Sequence, residues 1–157
     1  MRLTQWTDYA LRVLMYCAEH QQRAQPVTIT EIAQSHGISR SHLTKIVHDL
    51  AGRGWIETTR GRGGGMRLLK SASEISLGAV VRDTETDFNM VECFDRTHNQ
   101  CRVVEHCTLK KVLYQATQHF LAELDGVTLA DVRAHDPLAQ ETRTTSVVHI
   151  VRTRSSS

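Results

Sequence analysis

Apolar positions recur at helical spacing near the start of the chain. Ala10, Leu14 and Cys17, widened by Leu11 and Ala18, give one face of a helix from Gln5 to His20, with Thr4 as N-cap. Gln21–Pro26 is a polar break. Thr28-Ile29-Thr30-Glu31 then fits a capping box, in which Thr28 bonds forward and Glu31 back. A short helix follows through Ile32 and Ala33 and stops at Gly37, a residue suited to a left-handed C-terminal position. Ser39 caps the next helix, whose Leu43, Ile46, Val47 and Leu50 fall at i, i+3, i+4 and i+7 before Gly54 ends it. Two helices joined by the tight turn Gly37-Ile38-Ser39 make a helix-turn-helix, with Arg40–Arg53 as the second helix.

The period then changes. Trp55–Thr59 reads as a strand, Arg60–Gly65 as a glycine-rich turn and Met66–Leu69 as the returning strand. A hairpin directly after the second helix is a wing. Ser76 is expected to cap a helix through Leu77, Val80 and Val81 that ends near Glu85. Residues 86–107 show no clear period. Thr108 is expected to cap a long helix in which Leu109, Val112, Leu113, Ala116, Phe120, Leu121 and Leu124 form one broad apolar stripe, ended by Asp125-Gly126. Thr128–Val132 adds one more turn. That stripe exceeds what a small domain needs for its own core, so it is expected to pair two copies of the chain. From residue 133 the chain is polar except for Val147–Val151, and a mobile tail is expected.

The expected fold is therefore mainly α with a small β-hairpin. Residues 1–75 form a winged helix-turn-helix, 76–132 a cysteine-bearing segment with a dimerisation helix, and 133–157 the tail. No run of about 18 uninterrupted apolar residues occurs, which excludes a helical membrane span. The N-terminus lacks the apolar stretch and small-residue cleavage site of a signal peptide, so a cytoplasmic location is expected.

The net charge of +2 hides an asymmetry. Residues 1–70 carry ten Lys/Arg against five Asp/Glu, whereas residues 71–132 carry five against ten. A basic front half and an acidic back half suit a molecule of which only one part faces phosphates. The basic excess is densest between residues 39 and 70, with seven Lys/Arg and two Asp/Glu.

In a helix-turn-helix the start of the second helix lies nearest the base edges of the major groove. Here that position offers Ser39, Arg40, Ser41, His42 and Lys45, all able to hydrogen-bond. Arg40 suits guanine bidentately, and the serines suit phosphates or base edges. Arg60 and Arg62 sit on a tip slim enough for the minor groove, whose negative potential attracts arginine. The expected partner is double-stranded DNA carrying a palindromic operator. No C-x-x-C pair, general base or glycine-rich phosphate loop points to an enzyme.

Cys93, Cys101 and Cys107 are spaced C-x7-C-x5-C. Three neighbouring cysteines cannot all pair in one disulfide, and the spacing is not that of a zinc ribbon. Soft thiolates leave three readings open: an iron–sulfur cluster, zinc, or metal-free redox thiols. Cys17, on the apolar face of the first helix, is expected in the core.

Several segments carry a resemblance. Met1-Arg2-Leu3-Thr4 and Thr7-Asp8-Tyr9-Ala10-Leu11-Arg12 at the start, the wing Gly61-Arg62-Gly63-Gly64-Gly65, Glu92-Cys93-Phe94 and Cys107-Thr108-Leu109-Lys110 are among them. Phe120–Asp125 followed by Thr128-Leu129-Ala130-Asp131 is another. In this order, over roughly residues 1–132, they resemble the iron–sulfur winged-helix repressors of the NsrR and IscR family, and within it the nitric-oxide-sensitive branch. The resemblance implies a [4Fe–4S] cluster held by Cys93, Cys101 and Cys107, with nitric oxide as signal. It also implies an acidic fourth ligand from the first helix of the other subunit, which maps onto Asp8. Without the resemblance, Asp8 reads as a helix-dipole partner bonded to Arg12 at i+4. One feature departs from the IscR branch, in which five residues lie between the first two cysteines and the extra ligand is a histidine. The longer gap here carries His98, and His106 precedes Cys107; either is an alternative to Asp8. The neighbouring reading is a regulator of the same build that senses iron–sulfur supply through a [2Fe–2S] cluster.

Overall fold

Thr4 starts the first helix as expected. Its hydroxyl accepts the Thr7 N–H, and α1 runs Gln5–Glu19. The structure is a computed structural model and describes residues 2–95, 97–103 and 106–132; the tail beyond Val132 lies outside it. One stripe of α1 is buried, comprising Thr7, Ala10, Val13, Leu14, Cys17 and Ala18, and α2, α3, α4 and the wing all gather on this helix. Cys17 is core, 2% exposed, and burial pushes its thiol up to about 12.

The helix-turn-helix forms where its caps placed it. Both halves of the capping box are present at α2 (Ile29–His36): Thr28 Oγ1 accepts the Glu31 N–H at 3.3 Å, and Glu31 Oε2 accepts the Thr28 N–H at 2.7 Å. Gly37 closes α2 at φ +63°, a left-handed conformation that costs a residue without Cβ little. Ser39 caps α3 (Arg40–Gly52), which buries Leu43, Ile46, Val47 and Leu50.

Strands β1 (Ile56–Thr59) and β2 (Gly65–Leu68) pair antiparallel from Ile56↔Leu68 to Thr59↔Gly65, each one residue from the span its sequence suggested. An unforeseen third segment lies along β2. Val27 exchanges two backbone hydrogen bonds with Met66, at 3.0 and 2.7 Å, so the α1–α2 connection braces the wing.

Ala72–Glu74 forms a single 3₁₀ turn, and Ser76 caps α4 (Leu77–Thr84) as expected. The N-terminus of α5 (Thr108–Asp125) is a correction: the capping residue is Cys107, not Thr108. The Cys107 Sγ accepts the Lys110 N–H at 3.4 Å, the bond a hydroxyl usually makes, and Thr108 becomes the first helical residue. After α5 the chain makes one hydrogen-bonded turn, with the Asp131 N–H on the Thr128 carbonyl at 3.1 Å, and that turn is seated on the core. Thr128 bridges Ser76, the Leu129 N–H reaches the Ile75 carbonyl at 2.9 Å, and Leu129 is fully buried. A single apolar cluster joins α1–α3 and the wing to Ala72, Ile75, Val80 and Leu129.

Candidate nucleic-acid interface and cysteine segment

The period of α3 sorts its side chains. Leu43, Ile46 and Val47 point inward, which turns Ser39, Arg40, Ser41, His42 and Lys45 to solvent at the start of the helix. The residues proposed to read DNA thus share one exposed face. Thr44 and His48 continue it, and they line a groove with Thr28, Arg40, Thr58 and Gly64. Their spacing from Arg40, at i+4 and i+8, was visible in the sequence; the wing strand forming the other wall was not.

The wing tip owes its shape to glycine. Gly61 and Gly63 take φ of +95° and +79°, and the Gly64 N–H closes the turn onto the Gly61 carbonyl at 3.0 Å. Arg60 and Arg62 are exposed at this tip. The basic residues of this region divide into two groups. Arg67 donates to the Arg23 and Ala24 carbonyls, and Arg53 pairs with Asp49 and Asp83, so both are engaged within the chain. Among the described residues Arg40, Lys45, Arg60 and Arg62 form no ion pair. Charge left outward and unpaired is what a polyanion requires.

The three clustered cysteines lie on the connection between α4 and α5, and all are free thiols. Cys93, in a single 3₁₀ turn, is buried at a cavity walled by Phe94, Lys110, Tyr114 and Leu121. Phe94 stands edge-on to Tyr114, ring centres 6.3 Å apart, which seats this turn against α5. Cys101 is half-buried, its N–H bonded to Asn99 Oδ1 at 3.0 Å, and Cys107 caps α5. As a donor set, three free thiols on one short segment fit a thiophilic centre. Among the described residues, however, no three Cys, His, Asp or Glu side chains converge on one point.

Asp8 does what its position alone suggested. Its carboxylate receives Arg12 Nε at 3.0 Å and Nη2 at 2.9 Å, in the first turn of α1. Of the alternatives, His106 is exposed, with its backbone N–H on the Val103 carbonyl. His98 is different: its Nδ1 lies 2.8 Å from Asp95 Oδ2, which leaves Nε2 outward. The His98 hydrogen bond, joined by the Thr97 N–H, holds the Asp95 carboxyl below its usual range. The apolar stripe of α5 is only partly covered. Leu121 is buried, Leu113, Phe120 and Leu124 are half-buried, and Leu109 and Val112 are 62% and 53% exposed.

A family model described as Rrf2, iron-dependent transcriptional regulator, matches residues 3–135. The HTH-type transcriptional regulator NsrR of Bacillus subtilis (strain 168) is 46% identical over 132 residues, 84% of this chain and 90% of that protein. Its namesake from Geobacillus kaustophilus (strain HTA426) is also 46% identical, over 84% of this chain and 89% of its own. Among solved structures, T. potens IscR superposes with a TM-score of 0.67 at 20% identity, covering 94% of this chain and 93% of that one. The oxidized form of Staphylococcus aureus CymR gives 0.67 at 23%, covering 86% and 98%. These superpositions match the winged-helix fold.

Proposed function

Since this chain belongs to the Rrf2 family of transcriptional regulators, we propose that it is a nitric-oxide-responsive repressor that grips a palindromic operator as a dimer while an iron–sulfur cluster is in place. The observation that carries this reading is the position of three free thiols on the segment leading into α5, the last of them capping that helix. The resemblance to the nitric-oxide-sensitive branch supports it, as do the NsrR relatives.

Ser39, Arg40, Ser41, His42 and Lys45 enter the major groove, and Arg60 and Arg62 the minor groove. Cys93, Cys101 and Cys107 would hold the cluster, of the [4Fe–4S] type, with the partner subunit's Asp8 as fourth ligand. When bound, the cluster supplies iron that reacts with nitric oxide. Asp8 would have to leave Arg12 to serve, and its carboxylate would be a weaker ligand for such iron than the three thiolates. Leu109, Val112 and Ala116 on the open face of α5 pack against the same face of the second copy. Thiols held in place then keep the 93–107 segment against the other subunit's α1, and two α3 helices stay about 34 Å apart, one turn of DNA. Once that hold is lost the spacing relaxes. A differential affinity of ~3 kcal/mol already weakens binding more than a hundredfold.

A specific observation favours a second choice of fourth ligand. Metal-binding histidines commonly bond a carboxylate through the other ring nitrogen, and His98 has that arrangement with Asp95. Asp8→Ala and His98→Ala variants, loaded anaerobically, distinguish the two by which one alters the cluster spectrum.

The test of function is an anaerobic titration with nitric oxide, following cluster absorbance and operator binding together. Affinity should fall in step with the absorbance. Flat affinity while the absorbance bleaches would contradict the proposal.

A further inference from the structure

Three residues in and just after the last turn of α4 point in three directions, and each grips a different part of the molecule. Arg82 makes a two-point ion pair with Asp125 at the end of α5. Its neighbour Asp83 faces the other way: Oδ1 receives Arg53 Nη1 at 3.1 Å and Oδ2 receives Trp55 Nε1 at 2.6 Å. Arg53 follows the last residue of α3, and Trp55 is the root of the wing. Glu85, at the helix end, accepts the backbone N–H of Thr4 at 2.7 Å and its hydroxyl at 3.1 Å, at the cap of α1. The network continues inward, because Arg53 Nε also donates to Asp49 Oδ2 at 2.9 Å, and Trp6 Nε1 donates to that same oxygen at 3.1 Å.

Apolar packing fixes that α4 lies on α1 and α5, but it is tolerant of small rotations. Directional bonds from charged groups and indole N–H groups are not, and here they fix the end of α3 and the wing root relative to α4. The close fit continues on the α5 side: Gly78 lies beneath the Asp125 carboxylate, where a Cβ would come within 2.0 Å of Oδ1. The same short helix therefore registers α5 on one side and both DNA-facing elements on the other.

We infer that the C-terminal turn of α4 couples the cysteine segment to the DNA-binding face, with Asp83 as the positioning residue that passes displacement of α4 and α5 to α3 and the wing. This inference rests on the function proposed above, in which the state of the cysteines alters operator affinity. It adds the route. Being 38% and 37% exposed, the Asp83 and Arg53 side chains contribute little to overall stability. Removing this link is expected to leave the fold intact and change only the coupling.

Asp83→Asn removes the charge that both donors share, and Trp55→Phe removes one donor while keeping an aromatic ring. For each full-length variant and the wild type, operator affinity is measured with the cluster loaded and with it chelated away. Hydrogen exchange is followed at residues 53–59 in both states. The account expects the loaded-to-empty affinity ratio to fall at least about tenfold in Asp83→Asn, the scale of one charge-assisted hydrogen bond. Trp55→Phe should lower it in the same direction. Exchange at residues 53–59 should respond to loading in the wild type and stop responding in the variants. A wild-type ratio above one that persists in both variants would overturn the coupling role and leave the proposed function standing. A wild-type ratio of one would contradict the proposed function itself. Should Asp83→Asn fail to fold, Trp55→Phe alone decides, by the same two readouts.

Discussion

Gly64 sits where the returning wing strand passes the end of β1, and a Cβ there would lie 2.2 Å from the Thr59 carbonyl oxygen. Gly64→Ala must therefore move backbone, and a loss of roughly 1–3 kcal/mol is expected, read as a lower urea midpoint. An unchanged midpoint would contradict the close approach. His36 makes a different claim. Its Nε2 is buried with no partner among the described residues, and the ring stands edge-on to Tyr16 at 5.7 Å. Burial, and then the nearby Arg12, push its pKa below the ordinary value. A group whose folded pKa is depressed binds its proton more readily unfolded. Its contribution to stability is therefore whole above about pH 6.5 and declines as pH falls toward the folded value. His36→Phe should flatten the pH dependence of the urea midpoint in that interval; a profile unchanged from wild type would show that His36 does not cause it. At this scale the sequence was least legible. Thr108 carried the right chemistry for a helix cap, and only packing gave that role to its neighbour. Cys107 took the cap because the chain enters α5 with its Sγ toward the Lys110 N–H, a direction that no spacing encodes.

The caps of α1, α2, α3 and α4 were all readable, because Thr4, Thr28, Ser39 and Ser76 are short oxygen-bearing residues immediately before an apolar period. Thr28→Ala breaks the capping box at α2 and should cost about 1 kcal/mol, checked by chemical denaturation. Retention of full stability would show the box to be ornamental. The wing was readable as a hairpin from its glycines, but its brace was not. Val27 is far from Met66 along the chain, and a single bridge leaves no periodic trace. The same brace gives Arg67 a structural task, which leaves Arg60 and Arg62 as the charges at the tip. An Arg60→Ala/Arg62→Ala variant should weaken operator binding and lower the slope of log affinity against log salt by about 2, near 0.9 for each phosphate no longer neutralised. A slope equal to the wild type's would remove the wing from the interface.

For the whole molecule, the sequence indicated a mainly helical winged fold, and the arrangement of five helices and a two-stranded hairpin among the described residues agrees. The site was legible only in halves. The polar face of α3 follows from its own period, whereas the meeting of Cys93, Cys101 and Cys107 with a fourth ligand involves, in this account, a second copy of the chain. Patterns within one chain carry no record of what lies across a two-fold axis. In the dimer proposed above, the face of α5 on which Leu109 and Val112 are exposed would carry that dependence. The acidic half also has a structural use. Arg82 holds Asp125 below the usual carboxylate range through its hydrogen bonds, and a depressed carboxyl stabilises the fold above its unfolded pKa. The α4–α5 contact should therefore weaken as pH falls through about 4 and below.

The central claim is that a cysteine-held iron–sulfur centre governs how tightly this chain grips its operator. The most direct test prepares the protein under anaerobic conditions and measures iron, acid-labile sulfide and operator affinity on one sample, before and after chelation. The account predicts iron and sulfide in cluster proportion per protomer, and a loss of more than about a hundredfold in affinity when they are removed. Air-protected protein that contains neither element, yet binds its operator at full strength, would contradict it.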